Sequence, residues 1–275
     1  MNNANWFEKE YLPSLSVGDA SSIFKHWKAR SAATQKRFKH VADIPYGPNK
    51  REVMDFYPAE NALGCVVFIH GGYWLGFSKF ETSFVAEGFV GQGLSVALLN
   101  YPLCPEVKIG DIRTSCAKAF VQLYSKVLSA AERKAVVVTG HSAGGYLAAA
   151  YLAEDWSARG PPENPIKGVV SLSGVFDVTP LIKTSLNGGL RLDEAQAKAL
   201  NLIAIAPRNK AKLALAVGQN ESSEFHRQSS DLGKSWASLR PQVLDVAGAN
   251  HFTLVDSLAT KTGVLNRLAV EMMGG

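Results

Sequence analysis

Val136-Val137-Val138-Thr139-Gly140-His141-Ser142-Ala143-Gly144-Gly145-Tyr146-Leu147 reads as a buried strand that runs through Gly-x-Ser-x-Gly into a helix. Its consecutive valines lack the polar alternation of a half-exposed strand, so both faces are expected to be covered. Glycines flanking Ser142 let strand and helix approach closely enough for a sharp turn, which lifts a serine hydroxyl clear of the backbone. Motif and setting agree, making Ser142 the candidate nucleophile.

Outward from this stretch, short apolar runs alternate with longer helical patterns, the rhythm of a mainly parallel sheet flanked by helices. Core strands are expected over residues 65–69, 94–100, 135–139, 168–172, 212–217 and 242–246, and helices over 80–92, 111–129, 143–153, 224–238 and 253–272. Residues 39–46 and 52–57 read as an edge hairpin turned by Gly47-Pro48-Asn49-Lys50. Between residues 175 and 208 the strand rhythm lapses, with a helical run over 192–205, and this insertion is expected to form a small lid or cap. The 275 residues, 47% of them hydrophobic, read as one α/β domain.

A second motif, His70-Gly71-Gly72-Tyr73-Trp74, follows the strand Cys65-Val66-Val67-Phe68-Ile69. Acyl transfer places negative charge on a carbonyl oxygen, and unobstructed backbone N–H groups can meet it. Gly71, Gly72 and Ala143 are the expected donors, with His70 bracing their loop. Of the six histidines, His26 and His40 precede the sheet, His70 and His141 belong to the motifs, and His226 lies in a helical stretch. His251, just past the last strand, remains as the base. Its acid partner is expected on the loop after residues 212–217, where Glu221 is preferred over Glu224; Asp177, after the preceding strand, comes third and Asp245 sits within a strand.

Net charge is +5, from 29 basic and 24 acidic residues, too mild to imply a nucleic-acid partner. The basic cluster Lys25, Lys28, Arg30, Lys36, Arg37 and Lys39, interleaved with Phe24, Trp27, Ala32 and Ala33, reads as a solvated helix face. Cys65, Cys104 and Cys116 are read as reduced thiols. With no export signal or apolar run of about 18 residues, a cytoplasmic, non-membrane location is expected. No spacing suits a metal and no dinucleotide or phosphate loop is present, so neither metal nor cofactor is expected. The expected partner is a small-molecule substrate, and a homodimer is compatible with the pattern.

At these motifs the chain resembles the kynurenine formamidase (arylformamidase) branch of the α/β-hydrolases, near the hormone-sensitive-lipase-like esterases. The likeness also takes in Leu172-Ser173-Gly174-Val175-Phe176-Asp177, Glu221-Ser222-Ser223-Glu224-Phe225 and Asn250-His251-Phe252-Thr253. It implies an α/β-hydrolase fold with Ser142, Glu221 and His251 at the family's nucleophile, acid and base positions; many members carry aspartate where this chain has Glu221. It also implies hydrolysis of a small acyl compound, with an aryl formamide such as N-formylkynurenine first and a short-chain carboxylic ester second. Tyr73 and Trp74 suit an aromatic substrate and would limit the acyl group to butyryl or smaller, or else they simply support the loop. A non-catalytic ligand receptor on the same fold is the reading from a different class, disfavoured because a receptor needs no intact nucleophile, base, acid and glycine loop together.

Overall fold

The structure, a computed structural model, describes residues 3–274. Among the described residues eight strands form a single sheet: β1 (Val41–Pro45), β2 (Val53–Tyr57), β3 (Cys65–Ile69), β4 (Ser95–Leu99), β5 (Val136–His141), β6 (Gly168–Leu172), β7 (Lys212–Gly218) and β8 (Gln242–Val246). Their order is β1-β2-β4-β3-β5-β6-β7-β8; β2 runs against β1 and β4, and every other neighbouring pair is parallel. The expected hairpin and mainly parallel sheet are therefore both present.

Eleven α-helices accompany them among the described residues: α1 (Asn3–Tyr11), α2 (Pro13–Ser16), α3 (Ala20–Arg37), α4 (Glu87–Val90), α5 (Ile109–Gln122), α6 (Ala143–Ala150), α7 (Asn187–Leu190), α8 (Glu194–Leu200), α9 (Ser223–Ser235), α10 (Leu254–Ala259) and α11 (Val264–Met273). The period of a strand divides the sheet's side chains between two apolar layers. Cys65, Val67 and Ile69 join one layer with residues of α5, α6 and α9, while Val66 and Phe68 join the other with residues of α10 and α11. All five β3 residues are buried, which is why this strand reads as an unbroken apolar run. Cys65, Cys104 and Cys116 are buried and unpaired. Among the described residues no helix is long and apolar enough to cross a membrane.

Three expected helices differ. Residues 253–272 split into α10 and α11, because Thr260, Thr262 and Gly263 between them are weak helix formers. The helix expected over 80–92 begins as the 3₁₀ helix Lys79–Ala86, whose Ser78 cap accepts from Phe80 N. The run over 192–205 stops at Asn201, whose side chain caps the 3₁₀ turn Leu202–Ala204 instead of continuing α8.

Strand order reverses around β3, with β4 on one side and β5 on the other, so a crevice opens at their carboxyl ends. In register, Ile69 faces Gly140 and Gly218 faces Val246. The loops after β3 and β5 therefore emerge side by side, and so do those after β7 and β8.

Candidate active site

β5 ends at His141 and the chain turns at Ser142, whose backbone adopts φ 56°, ψ −118°, a region non-glycine residues enter at a cost of about 1–3 kcal/mol. Two hydrogen bonds hold it there: Ser142 N donates to Leu172 O (2.7 Å) and Tyr146 N to Ser142 O (3.1 Å). A Cβ at Gly140 would collide with Gly144 O, and one at Gly144 with Ile69 O, so the turn closes only around these glycines.

The loop after β3 lies flush against that turn. A Cβ on Gly71 would sit 2.8 Å from His141 O and 3.1 Å from the Ser142 Cβ. Gly72, Tyr73 and Trp74 follow with φ of 102°, 51° and 57°, so the chain coils back at once. His70 braces this loop as expected: it stacks on Tyr101 (4.1 Å between centroids) and its Nδ1 lies 2.8 Å from Gly71 O. Burial pushes His70 down to about 3, so it stays neutral. Arg51 fastens the far end, donating to Phe77 O (2.6 Å) and Tyr101 O (2.8 Å). Among the described residues, the N–H groups of Gly71, Gly72 and Ala143 have no acceptor within the protein.

After β8, Asn250 Oδ1 accepts from Phe252 N (3.0 Å) and Thr253 N (2.9 Å), an Asx turn that presents His251. His251 Nδ1 lies 2.6 Å from Glu221 Oε2. The other carboxylate oxygen accepts from Ser173 Oγ (2.5 Å) and Gly218 N (2.6 Å), so Glu221 is anchored at both oxygens. Both side chains are almost wholly buried, at 3% and 1% exposure. A carboxylate at Nδ1 favours the tautomer that leaves Nε2 free to accept a proton. His141 Nε2 lies 2.7 Å from His251 O; burial, and secondarily His251, hold His141 well below its ordinary value.

The other carboxylates are engaged elsewhere. Glu224 is bridged by Arg227 through both oxygens (2.8 and 2.7 Å) and accepts from Tyr11 OH; Arg227 holds its carboxyl below the usual range. Asp177 caps Thr179 N (3.0 Å), and Asp245 pairs with His226 (3.0 Å) at the surface.

Ser142 and His251 line one cavity of ≈ 590 Å³, together with Gly71, Gly72, Tyr73 and His141. Trp74, expected beside Tyr73 as a substrate contact, does not line it. Two consecutive left-handed residues turn Trp74 into the core, fully buried and edge-to-face on Tyr146 (5.5 Å). From the 175–208 insertion only Leu186 reaches the cavity.

The opposite wall, which the sequence reading did not assign to the site, is built by the N-terminal helices. Leu12 and Pro13 come from around α2, and Phe24, Trp27 and Lys28 from α3. Phe24 packs edge-to-face on Phe77 (5.0 Å) and Phe252 (4.9 Å), while Trp27 meets His141 (6.0 Å). The helical spacing of Phe24 and Trp27 was a legible sign of burial, and Trp27 is 2% exposed; of the basic cluster read as a solvated face, Lys25, Lys28, Lys36, Arg37 and Lys39 are exposed, while Arg30 is half-buried and pairs with Glu87 (2.9 Å) and Asp256 (3.0 Å). α1 ties this wall to the loops. Glu8 accepts from Ser185, Glu10 from Ser223 Oγ (2.8 Å) and Glu224 N (3.2 Å), and Tyr73 OH donates to Tyr11 O. Among the described residues, no group of three His, Cys, Asp or Glu side chains could hold a metal ion.

Comparison with known proteins places the chain in context. Residues 66–250 match the model of a family described by the α/β-hydrolase fold. The chain is 30% identical to kynurenine formamidase of Salmo salar over 99% of its own length and 97% of that protein. It is 29% identical to kynurenine formamidase of Danio rerio, covering 96% of this chain and 92% of that one. A crystal structure from Silicibacter, of a candidate thioesterase, superposes with a TM-score of 0.85 at 29% identity, covering 96% of this chain and 97% of that one.

Proposed function

The chain belongs to the α/β-hydrolase family, in its kynurenine-formamidase-like branch, and is a hydrolase; from that premise we propose that it cleaves an aryl formamide such as N-formylkynurenine through an acyl-enzyme on Ser142. In this reading His251 Nε2 takes the Ser142 proton as Oγ attacks the formyl carbon. The carbonyl oxygen, now negative, receives the N–H groups of Gly71, Gly72 and Ala143. Collapse breaks the C–N bond, and His251 returns the proton to the departing arylamine. Water, deprotonated by His251, then attacks the formyl ester, releasing formate and restoring Ser142. Glu221 stabilises the imidazolium formed in each half.

The observation that carries the substrate class is the set of aromatic side chains Phe24, Trp27, Tyr73, Phe77 and Phe252, which line the same ≈ 590 Å³ cavity as Ser142 and offer flat faces to an aromatic ring. Flat rings stack there with little loss of rotamer freedom. The test measures formate release from N-formylkynurenine beside p-nitrophenyl esters from acetyl to palmitoyl. The expected result is the highest kcat/KM for the formamide and a falling series among the esters. A maximum at octanoyl or beyond would replace this reading with a carboxylesterase.

A further inference from the structure

Besides its two histidines, the cavity is lined by one basic and one acidic side chain, Lys28 of α3 and Glu81 of the 3₁₀ helix Lys79–Ala86. These two helices pack side by side in a fixed register. Ser31 Oγ accepts from Phe84 N (3.2 Å) and Thr34 Oγ1 donates to Glu87 Oε1 (2.5 Å), both pairs being 53 residues apart. One turn earlier on the same two elements stand Lys28 and Glu81, and both line the cavity. Among the described residues neither forms an ion pair. Glu81 commits one oxygen to Ser78 Oγ (2.6 Å), and Lys28 is exposed at the cavity edge.

We propose that Lys28 and Glu81 are specificity residues that bind, respectively, the carboxylate and the ammonium of an α-amino acid group on the substrate. The inference deepens the formamidase reading and rests on it: the ring fills the aromatic box, the formamide meets Ser142, and the zwitterionic tail of the molecule ends at the charged pair. A zwitterion supplies one charge of each sign, matching the one cation and one anion that line the cavity. A neutral ester uses neither, so the pair discriminates by substrate chemistry while leaving the reacting atoms alone.

The experiment measures binding by calorimetry, so that it does not depend on turnover. L-Kynurenine and 2′-aminoacetophenone, which keeps the aryl ketone and lacks the amino acid end, are titrated into the wild type, Lys28→Met and Glu81→Gln. Gln at 81 preserves an acceptor for Ser78. Each substitution is expected to weaken kynurenine by about five- to tenfold and 2′-aminoacetophenone by less than about twofold, with Lys28→Arg restoring most of the loss. With N-formylkynurenine, KM should rise and kcat should hold. Equal weakening of both ligands, unchanged kynurenine binding in the variants, or no kynurenine binding to the wild type would each overturn the proposal. Kynurenine binding that depends on the pair, without formate release by the wild type, would uphold it and sink the formamidase reading instead.

Discussion

The two walls of the cavity are built by different means. On the sheet side, Gly71, Gly72, Ser142 and His251 are set by backbone conformations that few residues adopt and by hydrogen bonds within loops a few residues long. On the helix side, Phe24, Trp27 and Lys28 are ordinary helical residues, placed because α3 packs along residues 77–87 and against Phe252 and Asp256. The wall that would do chemistry is rigid and local, and the wall that would recognise a ligand is assembled from a distant part of the chain. One can therefore change selectivity without disturbing the elbow.

The sharpest break between the walls is Ser142→Ala. It should lower kcat by about 10⁴-fold or more with an unchanged thermal midpoint, since one hydroxyl is removed and no packing is lost. Labelling by a fluorophosphonate should vanish with it; label persisting on another serine would mean that the elbow is not the reactive end of the sheet wall.

Next in size is the pair Glu221→Ala and Glu224→Ala. The first should cost about 10³-fold in kcat, because His251 loses the carboxylate that orients it. The second removes the partner of Arg227 and Tyr11 and should show mainly as lost stability, read by urea unfolding. Reversal of the two results would move the acid onto α9.

The sheet wall also carries a pH signature that the helix wall lacks. His70 and His141 are buried there and neutral, whereas His26 of α3 is exposed. A histidine whose folded pKa lies below its unfolded value takes up a proton on unfolding, so stability falls as pH drops below the unfolded value of 6.5, toward about 3 for His70. Between pH 7 and 5.5 the two together should remove about 2–3 kcal/mol of unfolding free energy. Denaturant titrations at both pH values check this; a loss of about half that size would mean that one of the two is charged in the fold, and a flat profile that neither is held neutral.

The smallest effect belongs to the helix wall. Phe24→Ala removes a half-buried ring from the box and should raise KM by about five- to tenfold at nearly constant kcat. A fall in kcat of the same size would show that the helix wall also positions the reacting groups.

This contrast explains what could be read from sequence. β3 and β5 were legible because strands buried on both faces are unbroken apolar runs, and Ser142 because its turn demands glycines at both flanks. Glu221 and His251 followed from chain order and position after β7 and β8. Trp74 was misplaced because neighbouring side chains were assumed to share a pocket, and two left-handed residues in succession send them apart. The basic cluster on and just after α3 is exposed as read, apart from Arg30, and periodicity showed that Trp27 is buried, but nothing local says against what. That information resides in residues 77–87 and 252, far along the chain.

The contacts of α1 bear on how the molecule is made. Tyr11 and Glu224 are 213 residues apart, so at about 5–20 residues per second the ribosome delivers the partner roughly 10–40 s after the helix. α1 thus waits for these contacts until residues 223 and 224 have been made. A nascent chain stalled before residue 221 has already passed Ser142 and its glycines, yet its helix wall still lacks the anchors at Ser223 and Glu224.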